Sequence, residues 1–119
     1  MITVLIYKES NYPLPTQKVK KKLREVLKKK ITSNASVSLA FVGKEKMEEL
    51  VQKYYKEDPQ KKYVHPILTF PSAEMRDEFR QKGTPDLGEI IISYEEVDSE
   101  EKLLSLVEHG ALHLIGVHH

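Results

Sequence analysis

The last eleven residues, from His109 to His119, constrain the fold more than any other part of this chain. On an α-helix, His109 and His113 would share one face, about 40° apart, with their Cβ atoms roughly 5–6 Å from each other. His119 could not join them on a straight helix, because it would lie about 9 Å further along the axis and some 240° round it. Gly116 can adopt the left-handed conformation that ends a helix. The segment therefore predicts a helix that ends near Gly116, followed by a turn that brings the last histidine back.

Three histidines placed in this way predict a metal site with the ligands His109, His113 and His119. We expect one zinc ion, because three neutral imidazoles leave the fourth tetrahedral position open, as in catalytic zinc sites. The chain has no cysteine, so side-chain nitrogen and oxygen atoms must hold the ion. His118 is a weaker candidate, since adjacent residues of an extended segment point in opposite directions. The alternative for the final histidine pair is the remnant of an affinity tag.

The same spacing of histidines and glycine occurs in the metzincin proteases, which begin H-E-x-x-H and use the glutamate as a general base. Position 110 is glycine in this chain, so the pattern does not favour a protease. Glu108 is a candidate catalytic base, although on a helix it would point about 100° away from His109. Thr69 is a candidate catalytic residue that could form a hydrogen bond with a metal-bound water or a phosphate, and the alternative is an ordinary threonine at the end of a strand.

Three segments resemble the YbeY family of bacterial metal-dependent endoribonucleases. His109–His119, HGALHLIGVHH, resembles its H-G-x-L-H-L-x-G-Y-D-H signature, and residues 68–71, LTFP, resemble the end of its T-D-V-L-S-F-P block. Residues 87–93, LGEIIIS, resemble its L-G-D-I-V-I-S strand, so the resemblance covers roughly residues 35–119. It implies cleavage of RNA during ribosomal RNA maturation, with ribosomal RNA and ribosomal proteins as partners.

The chain departs from this family at several functional positions. The family arginine thought to contact RNA falls on Tyr55, so another cation would have to stabilise charge in the transition state. The sequence does not choose among Arg76, Arg80, Lys53 and Lys56 for this role, and we include Arg76 in the predicted catalytic set. The T-D-V residues become His65-Pro66-Ile67, and Val117-His118 replaces Tyr-Asp. His65 could be a general acid, but a structural role is the stronger interpretation.

Two further differences concern the β-strand that precedes the histidine helix. Glu89 takes the place of the family's aspartate, and the sequence favours an exposed position for it. The family has an additional helix between this strand and the histidine helix, and we expect none here.

Length and composition predict a single domain over residues 1–119 that can bury about two-thirds of its unfolded surface. No apolar run approaches the roughly 20 residues that cross a membrane, and the first residues resemble a strand more than a signal peptide. The absence of cysteine is compatible with the reducing cytoplasm, where we expect the protein to act as a monomer.

The net charge of +1 conceals an asymmetry along the chain. Residues 1–62 contain 15 Lys and Arg against 7 Asp and Glu, a net +8, and residues 63–119 contain 4 against 11, a net −7. Much of the positive charge lies between Lys18 and Lys30. Such a segment could hold a phosphate backbone, and the alternative is an ordinary solvated helix face.

The order of apolar periodicities predicts an α+β domain with a small mixed four-stranded sheet and helices packed on it. The predicted strands cover residues 2–7, 36–42, 65–70 and 87–93, with Pro66 at a sheet edge and the second strand half-buried. Helices are predicted from Thr16 to Ile31, from Gly43 to Tyr55, from Ser72 to Lys82, and from a cap at Asp98 or Ser99 to the histidines.

These observations favour a zinc-dependent endoribonuclease that cuts single-stranded RNA. A metal-dependent hydrolase of another substrate class would share the metal site without needing the basic segment. A non-catalytic module that binds RNA or the ribosome would need the basic segment without the metal chemistry.

Overall fold

The computed structural model describes residues 2–32, 34–55, 66–71 and 86–116, with the side chain of Tyr55 excepted. These residues form four β-strands and three α-helices. The strands are β1 (Ile2–Lys8), β2 (Ala35–Val42), β3 (Ile67–Pro71) and β4 (Asp86–Ser93). The helices are α1 (Thr16–Leu27), α2 (Lys44–Tyr55) and α3 (Glu100–Leu114), and a 3₁₀ turn at Tyr94–Glu96 leads into α3.

The four strands form one mixed sheet in the order β1-β2-β4-β3. β1 and β4 both run parallel to β2, and β3 runs antiparallel to β4. The predicted α+β class with a mixed four-stranded sheet is confirmed. β3 lies at an edge, as Pro66 predicted, and the carbonyl of Pro66 accepts a hydrogen bond from the Ser93 N–H at 2.9 Å.

Helices cover both faces of the sheet. Ile90 and Ile92 belong to the larger core under α1 and α3, whereas Ile91 belongs to the smaller core under α2. β2 was predicted to be half-buried, and this was wrong: every residue of β2 except Ser38 is buried. Strands on both sides and helices above and below exclude water from β2, and its alternating sequence did not reveal this environment.

Helices α1 and α2 each bury one apolar stripe against the sheet. Helix α1 buries Val19, Leu23, Val26 and Leu27. Its first residue is Thr16, and Pro15 occupies the N-cap position. The helix ends at Leu27 rather than at the predicted Ile31, because Lys28–Lys30 form a turn. Helix α2 buries Met47, Leu50 and Val51 in the smaller core.

Helix α3 begins where the capping signal predicts. The Ser99 hydroxyl accepts a hydrogen bond from the Lys102 N–H at 3.1 Å, and two glutamates occupy the first turn, where the helix dipole favours negative charge. The predicted helix from Ser72 to Lys82 and the start of the third strand at His65 lie outside the described residues. No described helix has the length and apolar character needed to cross a membrane.

Candidate metal centre

Two of the three predicted ligands lie side by side on α3. The ring centroids of His109 and His113 are 4.4 Å apart, with 51° between the ring planes. His109 is exposed and His113 is half-buried, so the pair is open to solvent on one side. Nitrogen atoms of two rings at this separation can approach one ion through bonds of about 2.0–2.1 Å. The predicted shared face is confirmed, and metal binding by these residues stays a prediction.

The predicted helix end is also present. Ile115 follows the last residue of α3, and Gly116 has a φ of +83°, in the left-handed region. The Gly116 N–H donates to the His113 carbonyl at 3.1 Å, as glycine commonly does just after a helix. His118 and His119 lie outside the described residues, and the described part of the chain contains no group of three metal-ligating side chains.

Gly110 explains why α3 can lie so close to the sheet. A Cβ atom at this position would be 2.9 Å from the Ile90 Cγ2 atom and 3.0 Å from the Ile67 Cδ1 atom. The position that carries the general base in metzincins is therefore pressed against β3 and β4 here. Because an added side chain would press on Ile90 and Ile67, glycine at 110 favours this close approach of helix and sheet.

We expect Gly110→Ala to destabilise the protein by about 1 kcal/mol. The added methyl group costs about 1–3 kcal/mol of overpacking, and the better helix propensity of alanine returns about 1 kcal/mol. Urea denaturation would measure the change. The control is Ser105→Ala, an exposed position of the same helix where only propensity changes. A Gly110→Ala protein as stable as this control would contradict the close packing.

The imidazole pair lies on the flank of α3 that faces away from α1. Gly110 faces the sheet, and successive residues of a helix are rotated by about 100° about its axis. Relative to Gly110, His113 is therefore rotated by about 60° and His109 by about 100°, both to the same side. The same spacing places Glu108 about 160° to the other side. Since α3 also packs on the edge strand β3, the two rings lie above that edge.

Thr69 is on β3, on the face that α3 covers. It pairs with Ile90 of β4, and it shares its face with Ile67, whose side chain packs on the larger core. Its side chain is half-buried. Thr69 and the imidazole pair therefore lie on the same side of the sheet, above its edge strand. The catalytic role of Thr69 stays a prediction, and Arg76 and His65 lie outside the described residues.

Glu108 points towards α1. Its carboxylate lies 3.9 Å from the Lys22 ammonium, and both side chains are partly exposed. This contact joins α3 to α1 on the flank opposite the imidazole pair. The geometry favours a bridging role between helices, and the predicted role of Glu108 as a general base remains untested.

Glu89 was predicted to be an exposed strand residue, and this was wrong. Its side chain is buried, with 2% of its surface exposed. It lies between Ser38 of β2 and Phe70 of β3, on the face covered by α2. A buried carboxylate is costly unless it is compensated, so this residue is under stronger physical constraint than the sequence indicated. It is on the opposite face of the sheet from the histidines.

The positive charge of α1 is partly engaged within the protein. The Lys18 ammonium lies 3.1 Å from the Glu100 carboxylate, and the Arg24 Nε atom donates to the Ile2 carbonyl at 3.0 Å. Lys21, Lys28 and Lys29 are exposed. These three lysines are the part of α1 and its following turn that is best placed to meet a phosphate backbone.

A cleft of about 450 Å³ lies where β1, β2 and β4 end. Carboxylates already occupy the N–H groups at the start of α2: Glu9 accepts from the Gly43 N–H at 2.8 Å, and Glu95 accepts from the Lys44 N–H at 3.4 Å. Burial and these two carboxylates raise the pKa of the nearby Tyr12 hydroxyl above its usual value. Four glutamates and two lysines line this cleft, so its excess of negative charge disfavours phosphate.

Comparison with known proteins agrees with the resemblance seen in the sequence. The family model described as endoribonuclease YbeY matches residues 5–119. A protein named endoribonuclease YbeY from Thermodesulfovibrio yellowstonii is 38% identical over an alignment of 92 residues, and the match covers 70% of this chain and 53% of that protein. The chain thus spans about half the length of this curated relative.

The fold has a similar solved structure. The solution structure of TM1509 from Thermotoga maritima aligns with a TM-score of 0.56 at 27% identity. The alignment covers 96% of this chain and 73% of that one. Most of the described fold therefore has a counterpart in a known protein.

Proposed function

This chain belongs to the endoribonuclease YbeY family, and on that premise we propose that it is a zinc-dependent endoribonuclease that cuts single-stranded RNA during ribosomal RNA maturation. Its partners would be ribosomal RNA and ribosomal proteins, and its place of action the cytoplasm. The single observation that carries the proposal is the pair of adjacent imidazoles on the open flank of α3.

The donor set of this flank fits zinc. His109 and His113 would supply two nitrogen ligands from consecutive turns of a helix, and His119 would supply the third after the turn at Gly116. The packing of Gly110 on the sheet fixes the position of the helix and therefore of both rings. Zinc held there would supply a Lewis acid that polarises the scissile phosphate.

The residues around the flank would position the RNA. Thr69 is on the edge strand below the two imidazoles, and its hydroxyl would donate a hydrogen bond to a phosphate oxygen. Arg76 would stabilise negative charge in the transition state, in place of the family arginine. Lys21, Lys28 and Lys29 would hold the backbone of the RNA further along its path, through contacts that carry no sequence information.

We expect RNA binding to depend strongly on salt, because binding to phosphates releases counterions. The double variant Lys28→Ala/Lys29→Ala should reduce the slope of log affinity against log salt by about 1.4, since each of the two contacts with a single strand contributes about 0.7. Fluorescence anisotropy with a labelled single-stranded RNA would measure the slope.

The matched control for charge is Lys44→Ala/Lys46→Ala. This double variant also removes two positive charges, but beside the negatively charged cleft at the start of α2. Its slope of log affinity against log salt should therefore equal that of the wild type. If both double variants lower the slope equally, the lysines act only through net charge, and the assigned RNA path is wrong.

The test of the function itself is cleavage of a single-stranded ribosomal RNA fragment by the purified protein with and without a zinc chelator. Cleavage that the chelator abolishes and added zinc restores would support the proposal. A protein that binds zinc and the RNA but cuts neither this fragment nor a folded one would contradict it.

A non-catalytic RNA-binding module is the second candidate, favoured by Tyr55 at the position of the family arginine. It predicts that His109→Ala leaves RNA affinity unchanged and that no cleavage is present to lose.

A further inference from the structure

Among the described residues, none forms a strand that pairs with the outer side of β1. The Glu9 N–H donates to the Phe41 carbonyl at 2.9 Å, so the odd-numbered residues of this strand direct their N–H and C=O groups towards β2. The even-numbered residues face the other way, and the Arg24 side chain reaches the Ile2 carbonyl from that side. Within the described sheet, β1 is an edge strand. The backbone groups of Val4, Ile6 and Lys8 therefore line an edge that could pair with another strand.

An apolar surface lies beside this edge. Leu5 and Tyr7 are 41% and 59% exposed, and they are the exposed large hydrophobic residues of the described chain. They lie on the face opposite Ile2 and Val4, which are buried under α1. The apolar residues of α2 pack on β2, β3 and β4 and leave this part of β1 uncovered.

The other face of the same edge is positively charged. Val19 of α1 points into the core. Because successive residues of a helix are rotated by about 100°, Lys20 and Arg24 lie on the side of α1 that is above β1. The hydrogen bond from Arg24 to Ile2 supports this placement. Lys8 adds an exposed positive charge at the end of the strand. The edge is thus apolar on one face and basic on the other.

We propose that β1 binds an extended acidic segment of a partner protein as an additional strand. The backbone of that segment would pair with Val4, Ile6 and Lys8. Because side chains of a strand alternate between faces, its apolar residues would cover Leu5 and Tyr7 while its carboxylates meet Lys20 and Arg24. A second copy of this chain fits less well, because two-fold pairing of β1 would bring the basic sides of two α1 helices together.

Lys8→Pro tests the backbone pairing. Proline removes the N–H of Lys8, which faces the open edge, without removing a hydrogen bond to β2. The probe is a fluorescein-labelled peptide of about seven residues, the length of β1, in which glutamate and valine alternate. We expect saturable binding in fluorescence anisotropy that Lys8→Pro weakens about tenfold through the lost hydrogen bond and the clash of the ring. The control is Lys44→Pro, the same change at the first residue of α2, where proline fits the helix and removes only the 3.4 Å hydrogen bond to Glu95.

A second pair of measurements tests the two faces. Tyr7→Ser should also weaken the glutamate–valine peptide, since it removes an exposed apolar contact without altering the backbone. A lysine–valine peptide of equal length should bind at least tenfold more weakly, because it meets Lys20 and Arg24 with like charge.

Several outcomes would overturn the proposal. One is equal peptide binding by the wild type, Lys8→Pro and Tyr7→Ser. A second is equal affinity for the acidic and basic peptides. Concentration-dependent dimers in sedimentation that Lys8→Pro abolishes would assign the edge to a second copy of the chain. RNA binding that Lys8→Pro abolishes, with no peptide binding by the wild type, would assign the edge to RNA.

Zinc content and urea midpoint equal to those of the wild type would establish that each variant is folded.

Discussion

His113→Ala is expected to release zinc from the purified protein and abolish RNA cleavage. The removal of one of the three proposed ligands should weaken zinc binding by more than about a hundredfold, since changes to residues that merely support a ligand already cost 10–100-fold. Elemental analysis after gel filtration, with a chromogenic chelator as competitor, would measure both content and affinity. His113 is the better of the two helical histidines to replace, because its ring lies 4.4 Å from that of His109 and is half-buried, whereas His109 is exposed.

Glu108→Gln is the matched control for this experiment. Glu108 is on the same helix but points towards Lys22 and α1, so its change should leave zinc content unaltered. It also tests the predicted base: unchanged cleavage by Glu108→Gln would remove this residue from the catalytic set. A His113→Ala protein that retains zinc at the level of the wild type would mean that the imidazole pair does not bind the ion.

The adjacency of His109 and His113 could be predicted from the sequence because it depends only on the geometry of one helix. The same holds for the buried stripe of α1, the cap at Ser99 and the helix end at Gly116, each of which is fixed by residues within two turns of one another. Local rules of this kind do not require knowledge of the tertiary fold.

The wrong predictions depend on strand order, which no local pattern reveals. Ser36 and Ser38 made β2 look half-exposed, yet β2 lies between β1 and β4 with helices on both faces. Glu89 looked exposed because charged residues usually are, but its strand lies between β2 and β3. The orientation of Glu108 towards α1 likewise follows from how two helices dock, which the sequence of either helix alone does not fix.

Gly88→Ala is expected to destabilise the protein by about 3 kcal/mol or more, because backbone strain and overpacking each cost about 1–3 kcal/mol. Gly88 has a φ of +132°, a conformation essentially confined to glycine. A Cβ atom there would collide with the carbonyl oxygen of Phe70 on β3 and lie 2.9 Å from the Leu114 Cδ2 atom on α3. Urea denaturation at constant m-value would measure the loss.

The same substitution should also disturb the proposed metal site, because Leu114 is adjacent to His113 and belongs to the turn of α3 that packs on Gly88. We therefore expect Gly88→Ala to weaken zinc binding even where the protein remains folded. Gly116→Ala is the control for the loss of stability. Gly116 also has a positive φ, of +83°, but no atom lies within 4 Å of an added Cβ. Only the left-handed backbone should therefore cost stability, by about 1 kcal/mol. If the two variants lost equal stability, the collision with Phe70 and Leu114 would be absent, and α3 would not be held against β4 at the turn that carries His113.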